Sequence, residues 1–192
     1  MRFAGSTKEK EMEKEILDGL MAGVQSGDSA AFEKLYETTK RGVFAFAYSY
    51  VGNGADAEDL MQETFLTVKR KAAQYVLGTD ARAWLFQIVK NLCLDELRKR
   101  KRRADEAFET VGDGASAKII GGAKVEDRVG AFPALDAVKR ILKDEDAEIF
   151  LLHAVWGYKH REIAEMKNLP LGTVTWKYKT AVERLQKEWD KE

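Results

Sequence analysis

The residues best placed to act on another molecule lie between Asp56 and Arg103. An acidic amphipathic stretch, Asp56-Ala-Glu-Asp-Leu-Met-Gln-Glu-Thr-Phe65, sets Asp56, Asp59, Gln62 and Glu63 opposite its apolar residues. Carboxylates and an amide at three- and four-residue spacing share one face of a helix and suit a basic protein surface. Further on, an apolar helical run from Ala81 to Leu97 passes into Arg98-Lys-Arg-Lys-Arg-Arg103. Six consecutive cations suit phosphates, whose neutralisation releases counterions and makes binding fall steeply with salt. An acidic face joined to a basic helix end describes an adaptor that holds a protein and a nucleic acid together. It does not describe a catalyst.

Catalytic chemistry finds no support elsewhere in the chain. No Gly-rich phosphate loop and no nucleophile–base pair stands out, so no catalytic residue and no cofactor is expected. Cys93 is the one cysteine, which excludes a disulfide within the chain, and with only His153 and His160 available no metal cluster is expected. His153 reads as a helix-packing residue. The N-terminus lacks a signal-peptide core, and no run approaches the ~20 apolar residues of a bilayer span. The expected location is cytoplasmic, without membrane insertion.

Charge is balanced overall, 32 Lys+Arg against 32 Asp+Glu, but unevenly distributed. Residues 1–97 carry 12 cations against 15 anions, residues 98–103 add six cations, and residues 104–132 carry 3 against 6. Positive field is therefore concentrated at one helix end, where it can act locally.

The elements that position these residues read as helices throughout. Ile16, Leu17, Leu20, Met21 and Val24 recur at helical spacing. Asp28 or Ser29 can cap a second helix with Phe32, Leu35, Tyr36, Val43, Phe44 and Ala47 on its apolar face, ending before Gly52-Asn-Gly54. The acidic helix begins at Asp56 or Asp59 and turns Leu60, Met61, Phe65 and Val68 inward. Asp80 caps the basic-ended helix, whose inward set includes Trp84, Leu85, Ile88, Leu92 and Leu97; Trp84 reads as core rather than as a wedge into DNA. The expected fold is all-α: two small helical domains joined by a flexible linker. Residues 1–10 form a tail, 11–103 a helix bundle, 104–132 a Gly-rich acidic linker, and 133–192 a second helical domain.

Within that second domain, Tyr158–Lys179 has the layout of a helix-turn-helix. Leu169-Pro170 makes the turn, because the residue before a proline is steered out of helix. Gly172-Thr173 offers a capped start to the next helix, on which Val174, Tyr178, Ala181 and Leu185 fall on one face for burial. Thr173, Thr175, Trp176, Lys177, Lys179 and Thr180 remain for the outside, where the early residues of a recognition helix meet base edges. Two helices simply packing at a turn, with a solvated outer face, is the plainer reading of spacing alone.

Together these motifs resemble the extracytoplasmic-function (ECF) group of bacterial RNA polymerase sigma factors. The resemblance rests on Asp56–Phe65, on Arg82-Ala-Trp-Leu through Lys90-Asn91 with Asp95-Glu-Leu-Arg98, and on Glu162-Ile-Ala followed by Pro170-x-Gly-Thr-Val174, in that order. It implies that the protein binds core polymerase, directs it to promoters and assists melting. Asp56, Asp59, Gln62 and Glu63 would grip the clamp helices of the largest subunit. Asn91, Arg98, Arg100, Arg102 and Arg103 would handle the −10 element, and the Tyr75–Asp80 loop would receive flipped bases. Asn91 is either an amide pairing with adenine or a surface amide without a partner. Arg161, Thr173, Thr175, Trp176, Lys177, Lys179 and Thr180 would meet the −35 element, with the flap of the second-largest subunit as a further partner of the same domain. An anti-sigma factor is the implied regulator, and a flexible linker permits a compact, sequestered arrangement as well as an extended one.

The chain departs from the family pattern in its recognition helix, which carries lysines where arginines are usual. Lysine lacks the planar fork that reads guanine bidentately, so contact there leans on phosphates. Trp176 either packs on a thymine methyl or sugar, or is merely exposed. The charged stretch Lys8–Glu15 has no assigned role. A stand-alone helix-turn-helix regulator would account for residues 133–192 but leave the acidic helix and basic end without purpose.

Overall fold

The computed structural model describes residues 7–111 and 133–190, and all regular structure in them is helical. The first four helices are α1 (Thr7–Gln25), α2 (Ser29–Val51), α3 (Gly54–Lys71) and α4 (Ala81–Val111), with a 3₁₀ turn at Ala72–Gln74. The last four are α5 (Pro133–Ile141), α6 (Asp144–Ala154), α7 (His160–Lys167) and α8 (Leu171–Trp189). Residues 104–111 of the stretch read as linker continue α4, and its glycines from Gly112 to Gly130 lie outside the described residues, as do residues 1–6.

Short polar side chains start the N-terminal helices. Asp28 accepts from the Ala30 and Ala31 amides to open α2, satisfying donors that have no partner within the helix. Gly52, at φ 74°, closes α2 in the left-handed conformation that glycine adopts without steric cost. The acidic helix opens three residues earlier than its first carboxylate suggests: Asn53 is the cap and accepts from Asp56 N at 2.8 Å. Asp80 opens α4 as expected, accepting from the Arg82 and Ala83 amides at 2.9 and 3.1 Å.

α1–α4 form a bundle around Leu17, Met21, Leu35, Val43, Phe46, Val68 and Leu85, all fully buried. Tyr36 and Phe65 meet edge-to-face at 4.7 Å, as do Phe46 and Phe86. Ile16, placed inward by periodicity, is instead 49% exposed. On α4 the buried line runs through Ala81, Leu85, Phe86, Val89 and Cys93, while Trp84, Ile88, Leu92 and Leu97 are only half-buried at its edge. Trp84 packs against Tyr75, ring centroids 5.5 Å apart, on the core side as expected. Burial pushes the Cys93 thiol up to about 12, which makes it a small apolar packing group rather than a nucleophile.

α2 is covered on two sides, which is why Ala45 to Tyr50 are all buried. α1, α3 and α4 cover one side; α5 and α6 cover the other. The two helical units therefore dock, and Ile149, Leu151, Leu152, Trp156 and Tyr158 of the second join the core cluster of the first. In the second unit α7 and α8 make the helix-turn-helix. Asn168, at φ 51°, closes α7 before Leu169-Pro170. α8 opens at Leu171 after Pro170, two residues ahead of the expected Thr173, without a side-chain cap. Val174, Ala181 and Leu185 are buried, and Tyr178 is half-buried, stacked on Phe150 at 6.0 Å.

Candidate protein and nucleic-acid interfaces

α3 and the second half of α4 lie side by side and form an open groove of about 770 Å³. Asp56, Asp59, Leu60 and Glu63 make one wall; Glu96, Arg98, Lys99, Arg100 and Arg102 contribute to the other. The acidic and basic sets, far apart in the chain, thus face one another. Asp59 and Gln62 are exposed, available to a partner without rearrangement. Asp56 is half-buried and engaged: it accepts from Asn53 and forms an ion pair with Arg100. Glu63 is tied along its own helix to Arg70 at 2.6 Å.

The cations at the end of α4 divide into two kinds. Arg100 bridges Asp56 and, at 3.1 Å, Glu96, which makes it a clamp between α3 and α4. Arg98 lies outward and, among the described residues, pairs with its helical neighbour Asp95 at 2.6 Å. Arg102 and Arg103 are exposed with Lys99 and Lys101, and project positive charge into solvent. Asn91 is exposed one turn from Gln87, whose amide donates to its Oδ1 at 2.9 Å. Between α3 and α4, Val76 and Leu77 are exposed apolar side chains in the loop read as a base-capturing segment. Tyr75 is anchored beneath them by a hydrogen bond to Asp18 at 2.8 Å.

On α8 the outward set also divides. Trp176 is 64% exposed, and Thr175 and Lys179 are exposed beside it; Arg161 is exposed on α7. Thr173 and Thr180 are half-buried. Lys177 is turned away from this face and paired with Glu145 at 2.6 Å and Asp146 at 2.9 Å, at the start of α6. Thr175 Oγ1 lies 3.3 Å from His160 Nδ1, which joins the recognition helix to the start of α7. His160, His153 and Tyr178 cluster with ring centroids 4.5–4.9 Å apart.

Sequence reasoning missed ion pairs between helices far apart in the chain, of which Lys90–Glu148 joins the two units. Glu13 of the unassigned N-terminal stretch forms an ion pair with Arg82, which also donates to the Trp156 carbonyl at 3.1 Å. Glu148, on α6, is a buried carboxylate reached by Lys90 of α4 and Lys167 of α7. No sequence signal marks either, because each depends on helices packed from distant parts of the chain. Among the described residues, no helix is long and apolar enough to cross a membrane, and no group of His, Cys, Asp and Glu is arranged to hold a metal.

Comparison with known proteins points to one family. Residues 35–103 match the family model Sigma-70 region 2, which spans α3, the Tyr75–Asp80 loop and the basic end of α4. The chain is 30% identical over 166 residues to the RNA polymerase sigma factor CarQ of Myxococcus xanthus, covering 86% of this chain and 93% of that one. It is 27% identical over 172 residues to the ECF RNA polymerase sigma factor SigW of Bacillus subtilis (strain 168), covering 86% of this chain and 92% of SigW. Among solved structures, CnrH in complex with the cytosolic domain of CnrY has the same fold, with a TM-score of 0.63 at 21% identity over 92% of this chain and 99% of that one. With its acidic helix, basic-ended helix and helix-turn-helix in family order, the chain belongs to the ECF group of RNA polymerase sigma factors and serves promoter-directed transcription initiation.

Proposed function

We propose a division of labour among residues for this sigma factor. Asp59 and Gln62, supported by Asp56 and Glu63, contact the clamp helices of the largest polymerase subunit. Arg98, Arg102 and Arg103 hold phosphates around the −10 element, with Asn91 at a base edge. Thr173, Thr175, Trp176, Lys179 and Thr180 of α8, with Arg161 of α7, meet the −35 element, and the same unit engages the flap of the second-largest subunit. The units are centred on residues 11–103 and 133–192, the first extended by α1 back to Thr7 and by α4 on to Val111. The protein acts in the cytoplasm and supplies recognition and melting, while the polymerase performs the chemistry. An anti-sigma factor is the fitting regulator, since the solved RpoE of Bartonella quintana is captured with the anti-sigma factor NepR.

One observation carries this reading: Arg100 joins the acidic helix to the basic-ended helix through Asp56. A partner seated on Asp59 and Gln62 is thereby held in a set geometry relative to the exposed cations of α4, as an adaptor requires. The test is an Asp59→Lys variant, whose side chain is exposed and whose fold is expected to survive. Core-polymerase affinity should fall at least tenfold with an unchanged helical spectrum. Unchanged holoenzyme assembly would place the polymerase contact elsewhere.

A further inference from the structure

We propose that Asp18 and Gln25, both on α1, are positioning residues for promoter melting: they hold the turn that carries Val76 and Leu77 in the form that receives an unpaired nucleobase. The proposal rests on the reading of the Tyr75–Asp80 loop as the segment that takes flipped bases. One oxygen of Asp18, Oδ1, accepts from the Tyr75 hydroxyl and from the Gly78 amide, each at 2.8 Å. These two donors flank the exposed pair. Gln25 Nε2 donates to the carbonyls of Ala72 at 2.9 Å and Tyr75 at 2.7 Å, at the entry to the loop. α1 therefore ties down a segment 47 to 60 residues away from it in the chain.

The loop also closes on itself. The Thr79 hydroxyl and amide both donate to the Val76 carbonyl, at 2.6 and 3.3 Å, and Gly78, at φ 83°, supplies the left-handed step in this turn. Asp80 is already committed as the cap of α4. Tyr75 is 4% exposed, and burial above all pushes its phenol up to about 12, so it remains a donor to the Asp18 carboxylate. Tyr75 is thus an anchor rather than a contact. Val76 and Leu77, by contrast, are 67% and 48% exposed.

Two apolar side chains standing in water on an untethered connection would fold down or move freely. A carboxylate that accepts two donors opposes both, because charge-assisted hydrogen bonds are about twice as strong as neutral ones. A base leaving the duplex gives up its stacking partners, and an apolar surface already in place replaces them without a further ordering cost. Were the loop to spend most of its time in other forms, apparent affinity for the base would fall by the fraction lost.

Hydrogen exchange at the Gly78 amide, followed by NMR in the full chain, reads the brace directly. Asp18→Ala should speed that exchange at least tenfold with helical content unchanged. Holoenzyme built with the same variant should bind a single-stranded DNA oligonucleotide, selected by the wild-type holoenzyme from a random pool, roughly tenfold more weakly, with core-polymerase affinity unchanged. Asp18→Asn keeps an acceptor in place and should recover part of both effects. Gln25→Ala should show the binding loss through the other anchor, even where Asp18→Ala does not fold. Unchanged Gly78 exchange in folded Asp18→Ala would overturn the brace, and faster exchange with undiminished oligonucleotide binding would overturn its role in melting. A double variant, Val76→Ser with Leu77→Ser, tests the loop reading itself. Wild-type binding by that variant would overturn the loop reading and the positioning role together. Weak binding there, beside full binding by Asp18→Ala and Gln25→Ala, would overturn the positioning role alone.

Discussion

Lys177 places its Nζ 2.9 Å from Asp146 Oδ1, which pins the recognition helix to the first turn of α6. The same ammonium reaches Glu145 at 2.6 Å, and the side chain is only 20% exposed. A cation held this way supports α8 rather than reaching outward with Trp176 and Lys179. Lys177→Ala should cost about 1–2 kcal/mol, because it leaves a partly covered carboxylate pair without its cation. Thermal unfolding should show a fall of about 3–6 °C. A loss of −35 affinity with no change in melting temperature would return Lys177 to the DNA-contacting set.

Trp176 should behave in the opposite way. Its ring is exposed on the face of α8 that remains after Val174, Ala181 and Leu185 are buried. Trp176→Ala should leave stability unchanged and lower affinity for a −35 duplex roughly tenfold, with no change in the salt dependence. Fluorescence anisotropy titrations in a salt series separate the two effects.

The cations of α4 should separate by the same measurement. Arg102→Ala and Arg103→Ala each remove an exposed charge, and each should reduce the slope of log affinity against log salt by about one. Arg100→Ala should instead lower the melting temperature, because Arg100 joins Asp56 and Glu96 across two helices. Equal slope changes for all three would show that the Arg100 clamp opens on DNA.

Stability of the helix-turn-helix should depend on pH through His160. Burial, and then the neighbouring His153, hold its imidazole below the ordinary value of 6.5. The folded state therefore binds the proton less readily than the unfolded state. This contribution is complete above the ordinary value and is lost as pH falls below about 6.5. Melting curves between pH 7.5 and 5.5 should show a decline that His160→Gln flattens. A parallel decline in the variant would assign the effect to other groups.

What was legible in the sequence was whatever depends on neighbours in the chain. Helix existence, the caps at Asp28 and Asp80, and the Leu169-Pro170 break follow from local backbone chemistry and periodicity, and the structure has them. Order and spacing of the motifs also sufficed to place the chain in its family. Local pattern was less reliable for the buried faces. Ile16 and Leu92 fit a helical stripe yet stand at or beyond its edge, whereas Ala45–Tyr50 are buried all round because a second unit docks on α2.

Tertiary structure alone decided which charged side chains are committed. Arg98, Arg100 and Arg102 are equivalent members of one basic run in the sequence, but only Arg100 is set against Asp56, 44 residues earlier in the chain. Lys177 reads like Lys179 until α6 brings Asp146 to it from 31 residues away. Glu148 is marked by nothing in the sequence, and Lys90, 58 residues away, meets it in the docked interface. Long flexible side chains carry no positional signal of their own. Their partners are set by how helices pack, and packing is a property of the assembled core rather than of any stretch of chain.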